Sequence, residues 1–438
     1  MVKRSPSRPP PAGPGAAANL LDADGAVQCS GGERQVVPRF DFRIDFCTAS
    51  ARGAARENNE DYILARPDMA LFGIADGMGG HAAGEVAASL SLRVVERELA
   101  TKAGIRLLDK YASTPKLDNR RAVFDLMARV IQTANDAVFD AGKEDDSLRG
   151  MGTTLDLLLL ARDRAFVAHV GDSRAYLVRR TATLQLTNDH SAFDPLRMTG
   201  RRVPTARWGR SPLSNSIGAA PHVQVDTLYV DLRAGDRVLL CTDGIFTVID
   251  GEAHLSKLCD ASSATRICTN LLDNVRMQLG HDDASVVVVR VGERFVTRHG
   301  DAGPRALDIR VVSASPLLTD LLPSAVLSTL AAAVEMEIEQ GSEVPSAVAN
   351  DRVAYVVLDG LVRTPNGRTL GASALLMAES LLDMPQHGPL PTVVARARLL
   401  RIRHDDFKQV CSHDPHLAAA LYQRIARHLA NALPGGSA

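Results

Sequence analysis

Apolar positions change their spacing several times along this chain. Short apolar runs bounded by glycine and aspartate predict buried strands, because a strand covered on both faces needs no polar alternation. These runs span residues 71–75, 155–160, 165–170, 237–241 and 285–291. Longer segments repeat apolar residues at helical spacing and predict helices over 85–100, 120–141 and 265–279. Strands and helices therefore interleave, with acid-containing turns at the strand ends, where a scaffold presents chemistry.

Polar segments predict the domain limits. Residues 1–38 are rich in proline, alanine and glycine and cannot bury enough surface to offset chain entropy, which predicts a disordered tail. A second polar stretch, with two glycines and a proline, predicts a linker over 293–307. We therefore expect one domain over 39–292, a second over 308–432 and a short tail over 433–438.

The second domain has its own pattern. Residues 353–358 and 361–363 flank an Asp-Gly pair at 359–360, an arrangement that predicts a β-hairpin. Residues 393–395 and 399–402 predict two further short strands. Apolar residues at a four-residue repeat predict a closing helix whose apolar ridge either packs on its own domain or meets a partner. The ridge consists of Leu417, Leu421, Ile425 and Leu429.

Composition excludes several classes of protein. The 50 basic and 51 acidic residues give a net charge of −1, which favours neither nucleic-acid nor membrane-surface binding. Six scattered cysteines without a CxxC pair indicate a reducing compartment rather than a disulfide framework or zinc ribbon. No run approaches the roughly 18 apolar residues of a membrane span. We therefore expect a cytoplasmic protein with no nucleic-acid or membrane partner.

Five segments place acids beside glycine or at strand ends: RENNED at 56–61, DGMGG at 76–80, GDSR at 171–174, TDG at 242–244 and HDD at 281–283. Any single Asp-Gly pair is more often a turn than a ligand. Several converging carboxylates would raise one another's pKa, and hard cations such as Mg²⁺ and Mn²⁺ relieve that repulsion through oxygen ligands. Without a His/Cys cluster, zinc is disfavoured. Two such ions, about 3.5–4 Å apart, can activate water and hold a phosphoryl oxygen.

In this order, the strings RENNED, GIADGMGGHAAGE, MGTT, VGDSRAY, LTNDHS, CTDGIF and HDDASVVVV resemble the motifs of bacterial metal-dependent protein phosphatases of type 2C. The resemblance spans roughly residues 40–292. It implies an α+β fold, an αββα sandwich of two antiparallel sheets flanked by helices. It also implies two Mn²⁺ or Mg²⁺ ions at one end of the sandwich, and hydrolysis of phosphoserine or phosphothreonine without a phosphoenzyme intermediate.

The same resemblance implies the metal ligands. Asp76 would bridge both ions, and Gly77 would lend its carbonyl. Asp243 and Asp282 would ligate one ion. Asp172 matches an acid that helps to form a third metal site in the family.

Other residues would act through water or on the substrate. Glu60 and Asp61 would hold metal-bound waters. Arg56 would hold the substrate phosphate, for which a guanidinium fork is well suited. The implied catalytic set is therefore Arg56, Asp61 and Asp76.

Three departures from the family pattern stand out. Asp283 replaces the usual Asn, and we expect little damage because Asp282 remains. Met78 follows the Asp-Gly pair, as in bacterial members, and the histidine proposed as general acid in animal members is absent; nearby His81 is interpreted as a loop or helix-start residue. The flap over 191–221 is short and basic. Its charge would favour acidic or multiply phosphorylated targets, and the alternative interpretation is a solvated loop. Its arginines are Arg197, Arg201, Arg202, Arg207 and Arg210.

Residues 308–432 resemble the β-roll of cyclic-nucleotide-binding proteins, through AYVVLDGLVRT, AESLLDMP and PTVVARARLLRI. In binding members a Gly-Glu pair contacts the ribose and a downstream Arg pairs with the cyclic phosphate. Here Ala378 replaces that Gly and Glu379 remains. Leu390 and Pro391 stand just before Thr392 where the Arg is expected, so a buried phosphate would lack its charge partner. We expect docking or homodimerisation through this domain; if it bound a nucleotide, Glu379 would be the contact.

Together these patterns predict a phosphatase that acts on phosphorylated Ser/Thr proteins, the substrates of a partner protein kinase. A hypothesis of a different class is a catalytically dead module that binds phosphoproteins, although every direct metal acid is present. A third hypothesis is a phosphatase gated by a cyclic nucleotide.

Overall fold

The computed structural model describes residues 30–54, 56–79, 83–191, 212–295, 309–321, 326, 329–330, 333–348, 351–382, 384, 389–413 and 415–432. Within these ranges the chain forms three six-stranded sheets. Two of the sheets lie in the N-terminal part, and the third lies C-terminal to residue 332.

The N-terminal sheets are antiparallel. Their strands are β1 (Ser30–Val36), β2 (Phe42–Ala51), β3 (Asp61–Arg66), β4 (Leu71–Met78), β5 (Gly152–Thr153), β6 (Leu155–Ala161), β7 (Arg164–Val170), β8 (Arg174–Arg179), β9 (Ala182–Gln185), β10 (Asp226–Asp231), β11 (Arg237–Cys241) and β12 (Ala284–Arg294). The first sheet has the order β1-β2-β12-β11-β8-β9 and the second β10-β7-β6-β4-β3, with β5 paired to β4. All five strands predicted from apolar runs are present.

Helices cover the outer face of each sheet. They are α1 (Ala83–Leu99), α2 (Lys102–Ser113), α3 (Leu117–Glu144), α4 (Asp243–Phe246), α5 (Gly251–Leu258) and α6 (Ala264–Met277). The first three bury their apolar faces against the second sheet, and the last three pack on the first sheet. A third apolar layer fills the space between the sheets, where the rings of Phe46 and Phe72 have centroids 5.3 Å apart. The fold is therefore the predicted αββα sandwich.

The strand registers bring the predicted acids to one end of the sandwich. In the second sheet Asp61 lies opposite Asp76. In the first sheet Cys241, at the end of β11, pairs with Arg174 at the start of β8. On its other side Cys241 pairs with Val286, which lies two residues after the start of β12. Antiparallel pairing thus gathers the turns that follow β4 and β11 with those that precede β3, β8 and β12.

The C-terminal part is β-rich and ends in helices. Its elements are α7 (Ile309–Ser313), β13 (Ala333–Ile338), β14 (Ala347–Val348), β15 (Asp351–Arg363), β16 (Thr369–Leu370), β17 (Leu375–Leu376), β18 (Thr392–Arg403), α8 (His404–His413) and α9 (Pro415–Ala432). The main path of its sheet is β13-β18-β15-β14. Among the described residues, none of the helices combines the length and apolarity needed to cross a bilayer.

The predicted hairpin at 359–360 is wrong. β15 continues through both residues, and its pairing with β18 shifts register on either side of Asp359. Gly360 has a φ of +91°, and a Cβ there would lie 2.4 Å from the carbonyl oxygen of Arg396. The Asp-Gly pair therefore makes a bulge within a paired strand rather than a turn. The two short strands predicted over 393–395 and 399–402 are likewise parts of the single strand β18.

Strand β1 corrects the predicted tail and shows why sequence alone missed it. Residues 30–36 fall within the segment predicted to be disordered, yet they pair with β2 at the edge of the first sheet. Edge pairing uses backbone groups and needs little apolar surface from the added strand. Residues 1–29 lie outside the described residues. The predicted linker overlaps β12, which ends at Arg294, and residues 296–308 are also outside the described ranges.

The closing helix packs on its own domain. Leu421 and Ile425 are fully buried and Leu417 is 7% exposed, in the same apolar cluster as Leu381 and Phe407. Residues of the same chain therefore cover the ridge. The ridge no longer supports the hypothesis that this helix faces a partner.

Truncating this ridge should destabilise the C-terminal part. Ile425→Ala leaves a cavity in a packed cluster, so the free energy of unfolding should fall by about 2–5 kcal/mol in urea denaturation. The control Gln423→Ala, on the exposed face of the same helix, should change it by less than about 0.5 kcal/mol. Equal effects of the two substitutions would show that the ridge is not buried in solution.

Candidate active site

Arg56 joins two acids of different segments. It lies in the loop between β2 and β3, and its Nε and Nη2 donate to Oδ1 of Asp282 at 2.9 and 2.6 Å. Its Nη1 donates to Oε2 of Glu60 at 3.2 Å. The predicted phosphate-binding arginine and two of the predicted acids are therefore in direct contact, although 226 residues separate Arg56 from Asp282.

Asp61 presents a buried carboxylate at the start of β3. The residue is 3% exposed, and Oδ2 accepts a hydrogen bond from Oγ1 of Thr242 at 3.0 Å. Oδ1 is buried and, within the described residues, has no hydrogen-bond partner. Burial, with the charges of Asp283 and Asp243 nearby, raises the pKa of Asp61 to about 7. This carboxylate is poorly stabilised in its charged form.

The backbone of Asp76 and Gly77 is fixed on both sides. Asp76 N donates to Oγ1 of Thr154 and its carbonyl accepts from Thr154 N, both at 2.9 Å. Gly77 N donates to the carbonyl oxygen of Glu60 at 3.2 Å. A Cβ on Gly77 would lie 2.2 Å from the carbonyl oxygen of Gly84, so only glycine fits this close approach.

Asp172 lies in the crossover from β7, in the second sheet, to β8, in the first. Burial and the charges of Asp243 and Asp189 raise its pKa to about 6. The neighbouring Arg174 makes two parallel hydrogen bonds to Asp189, at 2.8 and 2.7 Å. That bidentate pair anchors the turn carrying Asp172 to the segment that leads into the flap.

The remaining acids come from adjacent strands of the first sheet. Asp243 begins α4 directly after β11, and Asp282 lies two residues before β12. Burial raises the pKa of Glu60, although the Arg56 guanidinium lowers it. As the side chains stand, no three His, Cys, Asp or Glu residues of the described ranges form a group that could hold a metal ion. Instead, Arg56 supplies positive charge to Asp282 and Glu60.

Several supporting residues were not assigned roles from sequence. Oγ1 of Thr153 donates to the carbonyl oxygen of Asp76 at 2.8 Å, and Oγ of Ser173 lies 2.7 Å from Oγ1 of Thr154. The string MGTT contained both threonines, and their position just before a buried strand was the available signal. Asp283, expected to matter little, accepts hydrogen bonds from two backbone amides of the Arg56 loop.

Some predicted residues lie elsewhere. His81 and the five flap arginines are outside the described residues. Glu379 lies in a 3₁₀ helix, Ala378–Leu382, of the C-terminal part. Burial lowers the pKa of His428 in α9, and the charge of Glu379 opposes that effect by raising it. The structure gives Glu379 no connection to the acids of the sandwich.

Residues 51–278, just over half of the chain, match the family model described as protein phosphatase 2C. The match spans the six sandwich helices, the whole second sheet, strands β8, β9 and β11 of the first sheet, and the acids of the sandwich described above except Asp282 and Asp283. The chain belongs to the protein phosphatase 2C family.

The chain is similar to several named proteins. The chain is 33% identical over 206 residues to protein phosphatase PhpP of Streptococcus pneumoniae. This alignment covers 46% of this chain and 78% of PhpP. The chain is 33% identical over 258 residues to serine/threonine protein phosphatase PstP of Mycobacterium tuberculosis, covering 58% of this chain and 46% of PstP. The PstP catalytic domain in complex with two manganese ions matches with a TM-score of 0.48 and 29% identity, over 57% of this chain and 99% of that chain.

The raised pKa of Asp61 predicts how the metal-free protein responds to pH. Between its ordinary pKa of 3.8 and its folded value of about 7, the folded protein binds a proton that the unfolded chain has released. The contribution of Asp61 to the stability of the folded protein is therefore complete below about pH 4, and it is lost as the pH rises through about 7. In chelator at about pH 8, Asp61→Asn should therefore raise the melting temperature by roughly 5 °C, and by much less at about pH 5.

Differential scanning fluorimetry in chelator would measure both midpoints. Asp140→Asn, on the exposed face of α3, is the matched control and should leave the midpoint unchanged at either pH. A stabilisation by Asp61→Asn that is the same at both values would mean that Asp61 does not titrate in this range.

Proposed function

We propose that residues 39–292 hydrolyse phosphoserine and phosphothreonine in proteins, with two Mn²⁺ or Mg²⁺ ions as cofactor. One observation carries the proposal. Within the part of the chain that the structure describes, the buried carboxylate of Asp61 has an oxygen without a hydrogen-bond partner, and Asp61 lies opposite Asp76 at the end of the sandwich where the other acids meet. Family membership and the relatives' names support the same reaction.

The side chains present fit hard divalent cations. Their donors are carboxylate and carbonyl oxygens, which Mg²⁺ and Mn²⁺ prefer. The raised pKa values of Asp61 and Asp172 show that the described arrangement lacks the positive charge that would stabilise both carboxylates. When bound, the ions activate a water and offset charge on the phosphoryl group.

Each acid then takes a role in holding that cofactor. Asp76 and the Gly77 carbonyl would hold the ions from the second sheet, while Asp243 and Asp282 would hold them from the first sheet. Thr154 keeps the Asp76 backbone in place for this role, because its hydroxyl accepts from the amide of Asp76 and its amide donates to the carbonyl oxygen of Asp76. Asp282 would turn from Arg56 towards the cofactor.

The acids around this centre would act on water. Glu60 and Asp61 would orient the waters that surround the ions, and Asp172 would help to hold a third ion. Asp61 is fixed for this role by Thr242, which bonds one carboxylate oxygen and leaves the other for water.

Arg56 would hold the phosphate of the substrate. Its side chain is 35% exposed, so a phosphate can reach the guanidinium from solvent. Its contacts with Asp282 and Glu60 already point the guanidinium into the acidic end of the sandwich. If Asp282 bound the cofactor instead of Arg56, the guanidinium N–H groups would be available for the paired oxygens of a phosphate.

The C-terminal part would regulate the phosphatase or dock its partners. Arg120, at the start of α3, is 5% exposed and donates to Oη of Tyr229 at 2.9 Å and to the carbonyl oxygen of Ala333 at 2.8 Å. Arg121 forms an ion pair with Asp406 of α8. These contacts support communication between the two parts through α3. A partner kinase that makes the substrates, a homodimer through this part and a cytoplasmic location remain proposals.

Activity should require the metal and the first-sheet acids. Turnover of a phosphothreonine peptide should need Mn²⁺ or Mg²⁺ and stop in chelator.

Asp243→Asn removes a ligand charge but little volume, and should slow turnover roughly a thousandfold or more. The control Asp273→Asn, exposed on α6, should keep full activity. Robust turnover in chelator would exclude the proposed function, and peptide binding without any turnover would indicate a dead module.

Arg56→Ala should weaken engagement of phosphate. Loss of one charge-assisted contact should lower kcat/KM about tenfold to a hundredfold on the same peptide, with a raised KM. Arg97→Ala, at the far end of α1, is the matched control because it removes an arginine paired only on the surface. An unchanged kcat/KM for Arg56→Ala would assign phosphate binding to another residue.

A further inference from the structure

One buried carboxylate closes the loop that carries Arg56. Asp283 is 4% exposed, and its two oxygens accept hydrogen bonds from different amides. Oδ1 accepts from Gly53 N at 2.8 Å, and Oδ2 accepts from Glu60 N at 2.9 Å. Arg56 lies between these two amides, and its own N–H donates to the carbonyl oxygen of Gly53 at 3.1 Å. Both ends of the loop are thus attached to a single side chain.

Backbone segments approach Asp283 closely on both sides. A Cβ on Gly53 would lie 2.4 Å from the carbonyl oxygen of His281 and 2.6 Å from the carbonyl carbon of Asp282. On the other side, a Cβ on Gly244 would lie 2.0 Å from the carbonyl oxygen of Asp283. Two glycines therefore allow the backbone segments on either side of Asp283 to approach it closely.

Adjacent residues hold the arginine in complementary ways. Asp282 accepts from the Arg56 guanidinium, whereas Asp283 holds the backbone of the loop. Asp283 N also donates to Oδ1 of Asp282 at 3.0 Å, the oxygen that receives Arg56. Asp283 therefore supports the arginine through the loop by its side chain and through Asp282 by its backbone amide.

An aspartate suits this position better than an asparagine. A carboxylate offers two acceptor oxygens, one for each N–H, whereas an amide offers one acceptor and a nitrogen that donates. With asparagine, one of the two buried N–H groups would face another donor and lose its partner. The carboxylate thus performs a task that an amide of the same shape cannot.

We propose that Asp283 is a positioning residue for phosphate binding, which fixes the loop of residues 53–60 and thereby places the Arg56 guanidinium. This inference rests on the proposed phosphatase function. It predicts that loss of the carboxylate acts through Arg56 rather than through general stability.

A double-mutant cycle on the full chain tests the proposal. Asp283→Asn should lower kcat/KM on a phosphothreonine peptide about tenfold, chiefly through KM. In the Arg56→Ala background the same substitution should cost no more than about twofold, because the group that it positions is gone. Binding of inorganic phosphate to the Mn²⁺-loaded protein, measured by calorimetry, should weaken in parallel.

The matched control is Asp236→Asn. Asp236 is 2% exposed and accepts from Arg233 N at 2.7 Å, but it precedes β11 at the end of the sandwich away from the acids. It should lower the melting temperature without raising KM. A KM for Asp283→Asn within about twofold of the native value, or independent effects in the double mutant, would overturn the proposal.

Two further measurements separate the remaining outcomes. If Asp283→Asn does not fold, hydrogen exchange on the native protein still tests the contacts. The amides of Gly53 and Glu60 should be protected, and rapid exchange at both would overturn the inference. If the native protein hydrolyses no phosphopeptide, the proposed function fails, whereas the phosphate isotherms still decide whether Asp283 positions an anion site.

Discussion

Negative charge gathered at one buried end of the αββα sandwich is the constraint on which the site depends. Carboxylates that leave water are stabilised only if cations or hydrogen-bond donors replace the lost hydration. The structure meets part of this need with the Arg56 guanidinium and with hydroxyls such as that of Thr242. The raised pKa values of Asp61 and Asp172 show that the need is not fully met by the protein's own groups. Divalent cations would supply the rest, which makes ion binding and folding of this end parts of one equilibrium.

The sandwich elements were predictable because their signals are local. A buried strand such as 237–241 reveals itself through consecutive apolar residues, and the observed β11 has the same limits. The helices predicted over 85–100, 120–141 and 265–279 are present with ends shifted by up to three residues. Asp76, Asp172, Asp243 and Asp282 were also visible, since each lies within three residues of such a run. Their convergence follows from antiparallel pairing rather than from spacing along the chain.

Features that depend on distant partners were not predictable. The Asp-Gly pair at 359–360 has the sequence of a hairpin turn, but pairing with β18 holds it in a bulged strand. Asp283 differs from the expected residue by one atom type, and its two partners lie 230 and 223 residues earlier in the chain. A closing ridge of four apolar residues cannot itself show whether its cover comes from the same chain. In each case the deciding contact joins segments whose proximity the sequence does not state.

The acids are divided between the two sheets, and this division has a mechanical consequence. Asp61 and Asp76 belong to the second sheet, whereas Asp243 and Asp282 flank strands of the first. The gap between the two sets is therefore set by the apolar layer between the sheets, where Phe46 meets Phe72. Side-chain volume in that layer acts as a spacer for the site. A substitution in that layer should therefore alter the distance between the two sets of acids, although neither ring belongs to the site.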